Sequence, residues 1–326
     1  MNSALFVQCF ANPAIISLVV GCIFGTLSNF VIPRKISFLV ALYLVFSIGL
    51  KGGLCLGVDR VCTPPLTMLA AIGLLIGFLQ PFFYFFILPR VASLDIETRT
   101  VVASQFGSIS IVTFVTALSF LQQNSVQYST FMTALAGMME LPAIFSGLFL
   151  LKLQNSKVGS YIQSFMKIVF DIFSSPKISF IFLGFLVGIF LRNHADSQFI
   201  NVFLQPFNSM LVIFMVDIGI SIANQREHLQ SLKLPLILFG IYVPIITGLG
   251  GIAIAYACSV SVGTALLFAV LIASASYIAV PAIMHTQAPQ AKKAVYLPLA
   301  LCITLPFNLI FGIPFFYYIA KICIAS

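Results

Sequence analysis

The chain has no tryptophan, only three histidines, and charged residues at 7% of its 326 positions. Soluble domains carry roughly 25% charged residues, so this composition excludes an ordinary water-soluble globule. The three histidines, His194, His228 and His285, fall at or near expected helix ends. They form no His-x-x-x-His pair and stand beside no nucleophile by spacing, which removes the common zinc-hydrolase and triad patterns. The seven cysteines, at 9, 22, 55, 62, 258, 302 and 323, sit mostly in apolar segments without metal-ligand spacing and read as small hydrophobes. No basic n-region opens the chain, so no cleavable signal peptide is expected. Without tryptophan, any aromatic belt must come from phenylalanine and tyrosine.

What the chain has in quantity is apolar sequence, 60% of all residues. Apolar stretches of about 18 to 25 residues recur with brief polar breaks, the pattern of membrane helices. Ten are expected, over 13–31, 36–57, 66–88, 100–120, 131–151, 178–192, 199–223, 234–257, 264–285 and 294–320. In lipid the backbone must satisfy its own hydrogen bonds, so helices are the expected solution.

The net charge of +8 is dealt out in pairs along the loops and forms no nucleic-acid patch. With the N-terminus outside, twelve of the sixteen Lys and Arg residues fall inside, three (Arg60, Arg192 and Lys321) outside, and Lys51 within a helix. That positive-inside bias places both termini outside.

The chain also repeats itself. Pro13, Gly21 and Gly25 are answered by Pro176, Gly184 and Gly188. Ile48-Gly49-Leu50 is answered by Ile218-Gly219-Ile220, Ser108-Ile-Ser110 by Ser274-Ala-Ser276, and Leu141-Pro142 by Leu305-Pro306. The offsets are 163, 170, 166 and 164 residues, close to one register. Five helices per half is an odd number, so the halves are expected to lie upside down relative to each other, as in secondary transporters. The expected architecture is an all-α polytopic membrane protein with one five-helix repeat over 1–151 and a second, inverted, over 178–326. The linker, 152–177, carries Val158, Tyr161, Ile162, Phe165, Ile168, Val169 and Ile172 at helical spacing and reads as an amphipathic helix on the inner surface; an extension of a neighbouring span is the alternative.

The fourth and ninth helices hold the unusual chemistry. Each carries hydroxyls in mid-span at matching positions, Ser108 and Ser110 in one, Ser274 and Ser276 in the other. Gly107 weakens the fourth helix and Pro281 interrupts the ninth. An interrupted helix exposes N–H groups at its electropositive end, and two such ends meeting at mid-membrane would hold a small anion. The alternative for these serines is ordinary helix packing. The fifth and tenth helices carry Glu140-Leu-Pro142 and Thr304-Leu-Pro306. Proline frees the carbonyl one turn earlier, at Met138 and Cys302. Those oxygens, with Glu140, Thr304 and Asn308, form a hard-oxygen set suited to sodium; a protonated, hydrogen-bonded Glu140 is the alternative. Asp217 and Lys51, the other intramembrane charges, are expected at heights about 13 Å apart, too far for a direct bridge.

Several of these segments resemble the sodium-dependent bicarbonate symporters first known in cyanobacteria. The matching runs are Phe106-Gly-Ser-Ile-Ser-Ile-Val-Thr-Phe-Val-Thr-Ala117, Ile48-Gly-Leu-Lys-Gly-Gly53, Met139-Glu-Leu-Pro-Ala143, Ser274-Ala-Ser-Tyr-Ile-Ala-Val-Pro281, Tyr296-Leu-Pro-Leu-Ala and Thr304-Leu-Pro-Phe-Asn-Leu-Ile-Phe-Gly-Ile-Pro314. They run nearly the full length, and the chain looks similar to the branch found in heterotrophic bacteria. The resemblance implies a gate from helices 1, 2, 6 and 7, a core from helices 3–5 and 8–10, and a homotrimer in the bacterial inner membrane. It implies bicarbonate carried with sodium as coupling ion and no other cofactor. By the same resemblance, Gly107, Ser108, Ser110, Ser274, Ala275 and Ser276 would hold the anion, and Glu140, Thr304 and Asn308 the cation.

Two departures from the family pattern stand out. Tyr277 replaces an aspartate of the cyanobacterial members, which keeps open a sodium- or proton-coupled symporter of another small anion. The linker between halves is short, so a PII-like cytoplasmic regulator finds no support in these residues. A channel-like pore and a membrane-embedded enzyme are the remaining alternatives, the latter without any catalytic constellation.

Overall fold

The computed structural model describes residues 12–28, 30, 32–55, 64–154, 176–191, 198–230 and 232–324, and among them every regular element is a helix. The expected amphipathic linker falls almost wholly on 155–175, outside the described residues. In chain order the helices are α1 (Pro13–Ser28), α2 (Arg34–Cys55), α3 (Pro64–Val91), α4 (Ile96–Gly107), α5 (Ile111–Gln123) and α6 (Phe131–Gln154). Then come α7 (Pro176–Leu191), α8 (Gln198–Leu204), α9 (Phe207–Asn224), α10 (Arg226–Leu229), α11 (Leu234–Ala257), α12 (Val262–Ile272) and α13 (Ala279–Gln287). The final stretch alternates α14 (Lys293–Pro298), a π-helical turn (Leu299–Thr304), α15 (Leu305–Phe307), a second π-helical turn (Asn308–Gly312) and α16 (Ile313–Ile324).

Among the described residues, seven stretches are long and apolar enough to cross a membrane. Three shorter apolar helices, Pro13–Ser28, Phe182–Leu191 and Val262–Ile272, fall at the first, sixth and ninth expected positions. Burial sorts these stretches. The most apolar parts of Pro64–Val91 and Leu234–Ala257 are each 33% buried, whereas that of Ile96–Gln123 is 94% buried. This contrast matters because Ile96–Gln123 contains a helix break, and irregular backbone at membrane depth is tolerated only where protein encloses it.

Packing follows the duplicated glycines. Helix α1 lies along α9, and α2 along α7. A Cβ on Gly21 would overlap the Val216 carbonyl, and one on Gly219 the Leu18 carbonyl; Gly184 and Gly188 meet the Phe46 and Leu50 carbonyls in the same way. Small residues let the two backbones of each pair touch, the usual device for joining helices in lipid. The remaining helices pack among themselves: α3 with α4 and α6, α11 with α12 and the Lys293–Ile324 stretch, and α12 with α5. Contacts between α2 and α6 join the two groups.

Helices α5 and α11 end without glycine. Ser125 and Ser259 each take the left-handed conformation at φ 53°. Six-to-one bonds close both ends, from Val126 N to the Leu121 carbonyl (2.9 Å) and from Val260 N to the Ala255 carbonyl (3.3 Å). Glycine is the preferred residue at such a position because a Cβ is strained there. Ser259→Gly is therefore expected to stabilise the protein by about 1 kcal/mol, read as a raised midpoint in thermal unfolding of the detergent-purified chain.

Candidate functional site

Two helix breaks face each other in the interior. Helix α4 stops at Gly107, where Phe106 is held against Phe239 and Tyr84 with ring centroids 5.0 and 6.4 Å away. Ser108 (φ −103°, ψ 163°) and Ser110 (φ −106°, ψ 109°) are extended. Ser110 then caps α5, its Oγ accepting from Thr113 N at 3.3 Å, which serine does well at a helix start. Helix α12 stops at Ile272, residues 273–278 are irregular, and α13 begins at Ala279. Here Ser276 Oγ accepts from Val280 N at 3.3 Å.

The sequence places this second interruption at Pro281; the structure places it earlier. Pro281 sits in the first turn of α13, where its missing N–H leaves no bond unmade. Its ring would clash with a helical carbonyl at Tyr277, so α12 cannot continue through that point.

The breaks are tied crosswise. Ser110 N donates to Ser274 Oγ (2.8 Å), Ser274 Oγ donates to the Leu271 carbonyl (3.1 Å), and Ser276 N donates to the Gln105 carbonyl (2.9 Å). The ends remote from the breaks are tied in the same paired fashion. Ser129 N donates to Thr264 Oγ1 at 2.9 Å, and Lys292 N donates to Thr98 Oγ1 at 2.8 Å. Thr98 and Thr264 stand in the first turns of α4 and α12, capped by Asp95 and Ser261. Partial burial alone would raise the Asp95 carboxyl, but hydrogen bonds from Thr98 and the Lys292 charge hold it below its ordinary value of 3.8. This cap is thus in place at neutral pH and weakens only as the pH falls through that lowered value.

Around the breaks lies a concentration of buried polar atoms with no protein hydrogen-bond partner: both amide atoms of Gln105, Ser108 Oγ, Thr113 Oγ1, Tyr277 Oη and Asn308 Oδ1. Each such group costs about 1–3 kcal/mol when left unmet in an apolar interior. Their clustering marks a place for a polar ligand or water.

A cavity opens beside them, with about 30 Å³ of room for the centres of water-sized molecules. One water requires roughly 10–15 Å³ by that measure, so the space suits a ligand of a few heavy atoms. Its polar wall is Ser110, Ser276, Tyr277 and Glu140, and its apolar wall includes Leu44 and Val45 of α2 and Phe214 of α9. The first turn of α5 borders it at Ile111 and Val112, and residues 276–278, which lead into the start of α13, border it from the other break.

The expected site residues divide by position. Ser110, Ser276 and Glu140 line the cavity, and Glu140 is only 4% exposed. Ser108, Ser274 and Ala275 are buried at the breaks but do not line it. Gly107 lies against Pro81 of α3, where a Cβ would overlap the proline ring, so its smallness serves packing. Asn308 Nδ2 donates to the Ala273 carbonyl (2.9 Å), holding the second break from the side of the second π-helical turn. Thr304 Oγ1 donates to the carbonyls of Gly240 (2.9 Å) and Leu299 (3.2 Å) and does not line the cavity.

Sequence reasoning missed the Thr98–Thr264 pairing, although its offset of 166 residues equals that of the serine clusters. It also missed the π-helical turns, which recur at functional sites but have no reliable sequence signal. Tyr277 stood out only as a departure from a pattern; its place in the cavity wall comes from the structure.

Apolar helices, and two interior helix breaks that cross beside a small, mainly apolar cavity with four polar side chains in its wall, are the architecture of a multi-pass membrane protein. The chain belongs to the Na+-dependent bicarbonate transporter superfamily, whose family model matches residues 13–321. Membership supports, in general terms, a sodium-dependent bicarbonate transporter with sodium as coupling ion and no enzymatic activity. Comparison with curated proteins finds no match.

Proposed function

We propose that this protein is a symporter that carries bicarbonate together with sodium by alternating access. The anion sits between the two breaks. Ser110 and Ser276 meet it directly, the first-turn N–H groups of α5 and α13 add their dipoles, and Ser108, Ser274, Gly107 and Ala275 hold the breaks in shape. The observation that carries this reading is the crossed pair of bonds, Ser110 N to Ser274 Oγ and Ser276 N to the Gln105 carbonyl. They bring two helix starts to one cavity without placing a fixed cation there. Sodium belongs on the Glu140 side, with Asn308 and Thr304 as further oxygen donors.

The rest of the proposal is architectural. Ten spans form two inverted repeats with both termini outside, in the bacterial inner membrane. Supporting it are the paired glycine contacts, where α1 on α9 mirrors α7 on α2, and the mirrored bonds to Thr98 and Thr264. The α1, α2, α7 and α9 group is the gate and the remaining helices the moving core. Assembly as a homotrimer rests on the family resemblance. One sodium with one bicarbonate moves no net charge; each additional sodium would add about 2.3 kcal/mol per 100 mV.

A second reading keeps the mechanism and changes the cargo. Tyr277 puts a buried, unpartnered phenol in the cavity wall, a donor that suits another small anion, with sodium or proton as the coupled cation. Labelled bicarbonate uptake into proteoliposomes separates the readings. Uptake that requires an inward sodium gradient is expected. Sodium-independent uptake would point to a pore, and formate or nitrate outcompeting bicarbonate would favour the second cargo.

A further inference from the structure

The seam between gate and core is roomy toward one end and closed toward the other. Toward the proposed outer end a cavity has about 260 Å³ of room for the centres of water-sized molecules, against about 30 Å³ in the central one. Leu54 of α2 and Phe207 of α9 line it. The central cavity meets the same two helices at Ala41, Leu44 and Val45 and at Leu211 and Phe214. One turn further toward the proposed inner end, along the same helix faces, come Ser37 and Asp217. Their side chains are within hydrogen-bonding reach of each other. Beyond them the core touches the gate, where Cys302 Sγ of the first π-helical turn stands 3.9 Å from the Ile222 carbonyl of α9.

Tyr277 faces this end from the core. It lines the central cavity, and its Oη is buried without a hydrogen-bond partner. The Asp217 carboxylate is near enough for its charge to act on that phenol. A carboxylate has about four acceptor positions, so the contact with Ser37 leaves Asp217 room for a further donor. The phenol has one hydrogen to give and two places to give it: an anion in the cavity, or Asp217 across the seam.

We propose that Tyr277 and Asp217 are a latch at the inner end of the transport path. In the empty carrier a shift of the ring toward α9 lets the phenol donate to the carboxylate, which ties core to gate and keeps the inner side shut. An anion in the central cavity competes for the same hydrogen and, by taking it, unties the latch. The proposal rests on the reading of this chain as an anion transporter and adds a reason for empty and loaded carriers to rest in different states. A hydrogen bond to a charged group biases an equilibrium by about 10- to 100-fold, enough to hold most empty carriers shut on the inside.

The test follows maleimide modification of Cys302 in the detergent-purified full chain, quantified by mass spectrometry with and without bicarbonate. Buried Cys258 reports folding in the same samples. Wild-type labelling is expected to be slow without bicarbonate and several-fold faster with it. Tyr277→Phe and Asp217→Leu should each speed labelling of the anion-free protein about tenfold. The double variant should go no further, because either change alone removes the one bond. Asp217→Leu leaves the lining of the central cavity intact, so it should still bind bicarbonate while its Cys302 rate no longer responds. A variant that exposes Cys258 is replaced by Tyr277→Met or Asp217→Asn, with the same results expected. Wild-type rates in both single variants would overturn the latch. So would effects that multiply in the double variant, which mark two independent packing losses. Should the wild type bind no bicarbonate, the transport reading fails by itself, and the anion-free rates of the four proteins still judge the latch.

Discussion

Replacing Ser110 and Ser276 together by alanine is expected to abolish bicarbonate uptake and leave a folded protein. Both hydroxyls line the small cavity and both stand at the start of a half-helix. A hydrogen bond to a charged ligand contributes about 1.5–3 kcal/mol. Two of them together amount to roughly 3–6 kcal/mol, a loss of about 10² to 10⁴ in affinity. The same substitutions remove the Ser110 cap of α5, at about 1 kcal/mol, and the single bond from Val280 N to Ser276 Oγ ahead of α13. The large effect thus falls on binding and the small one on stability. Anion titration and thermal unfolding of one preparation separate the two: a near-normal unfolding midpoint with no anion response is the expected pair. Wild-type uptake in the double variant would remove both serines from the anion site.

The sequence made this site readable to an uneven degree. Serine clusters at a fixed offset, set in mid-span beside Gly107 and near Pro281, were enough to locate both helix breaks in the fourth and ninth expected spans. Their limits were not readable to the residue. The second break spans 273–278 because Pro281 excludes a helical Tyr277, an effect felt four residues before the proline itself.

Roles set by distant neighbours were out of reach. Gly107 is small because Pro81, 26 residues earlier, lies against it. Thr304 faces Gly240 across another helix, so its hydroxyl hydrogen is already engaged by a carbonyl. No local pattern encodes such contacts. Topological counting did better with the isolated charges. Asp217 lies within hydrogen-bonding reach of Ser37 near the start of α2, and Lys51 lies over Phe207 near that helix's other end. Fourteen residues of α2 separate Ser37 from Lys51, about 21 Å, consistent with the different heights inferred from loop charge.

Glu140→Gln is the substitution expected to uncouple the two ions. Glu140 is a carboxyl group in the interior of a membrane helix, where ionisation costs about 2.5–3.5 kcal/mol or more. It shares the wall of the small cavity with Ser110 and Ser276. On the proposed mechanism a sodium ion on Glu140 would offset that cost and stand near the anion in the same cavity. At an effective dielectric of about 20, opposite unit charges about 5 Å apart attract by about 3 kcal/mol. Such a coupling raises each ion's affinity for a site already holding the other by about a hundredfold, and linkage makes the effect reciprocal.

Glutamine keeps the shape of the side chain and removes its charge. The sodium concentration for half-maximal uptake should then rise tenfold or more, and sodium should lose most of its power to tighten bicarbonate binding. The serines and the helix starts remain, so anion affinity measured without sodium should change little. Isothermal titration of bicarbonate with and without sodium, on wild type and Glu140→Gln, reads both quantities. If the sodium dependence is unaltered, Glu140 is a hydrogen-bonded acid of the core and the cation binds elsewhere. The anion site between the breaks would stand in either case, because it rests on Ser110, Ser276 and the two helix starts and not on the carboxylate.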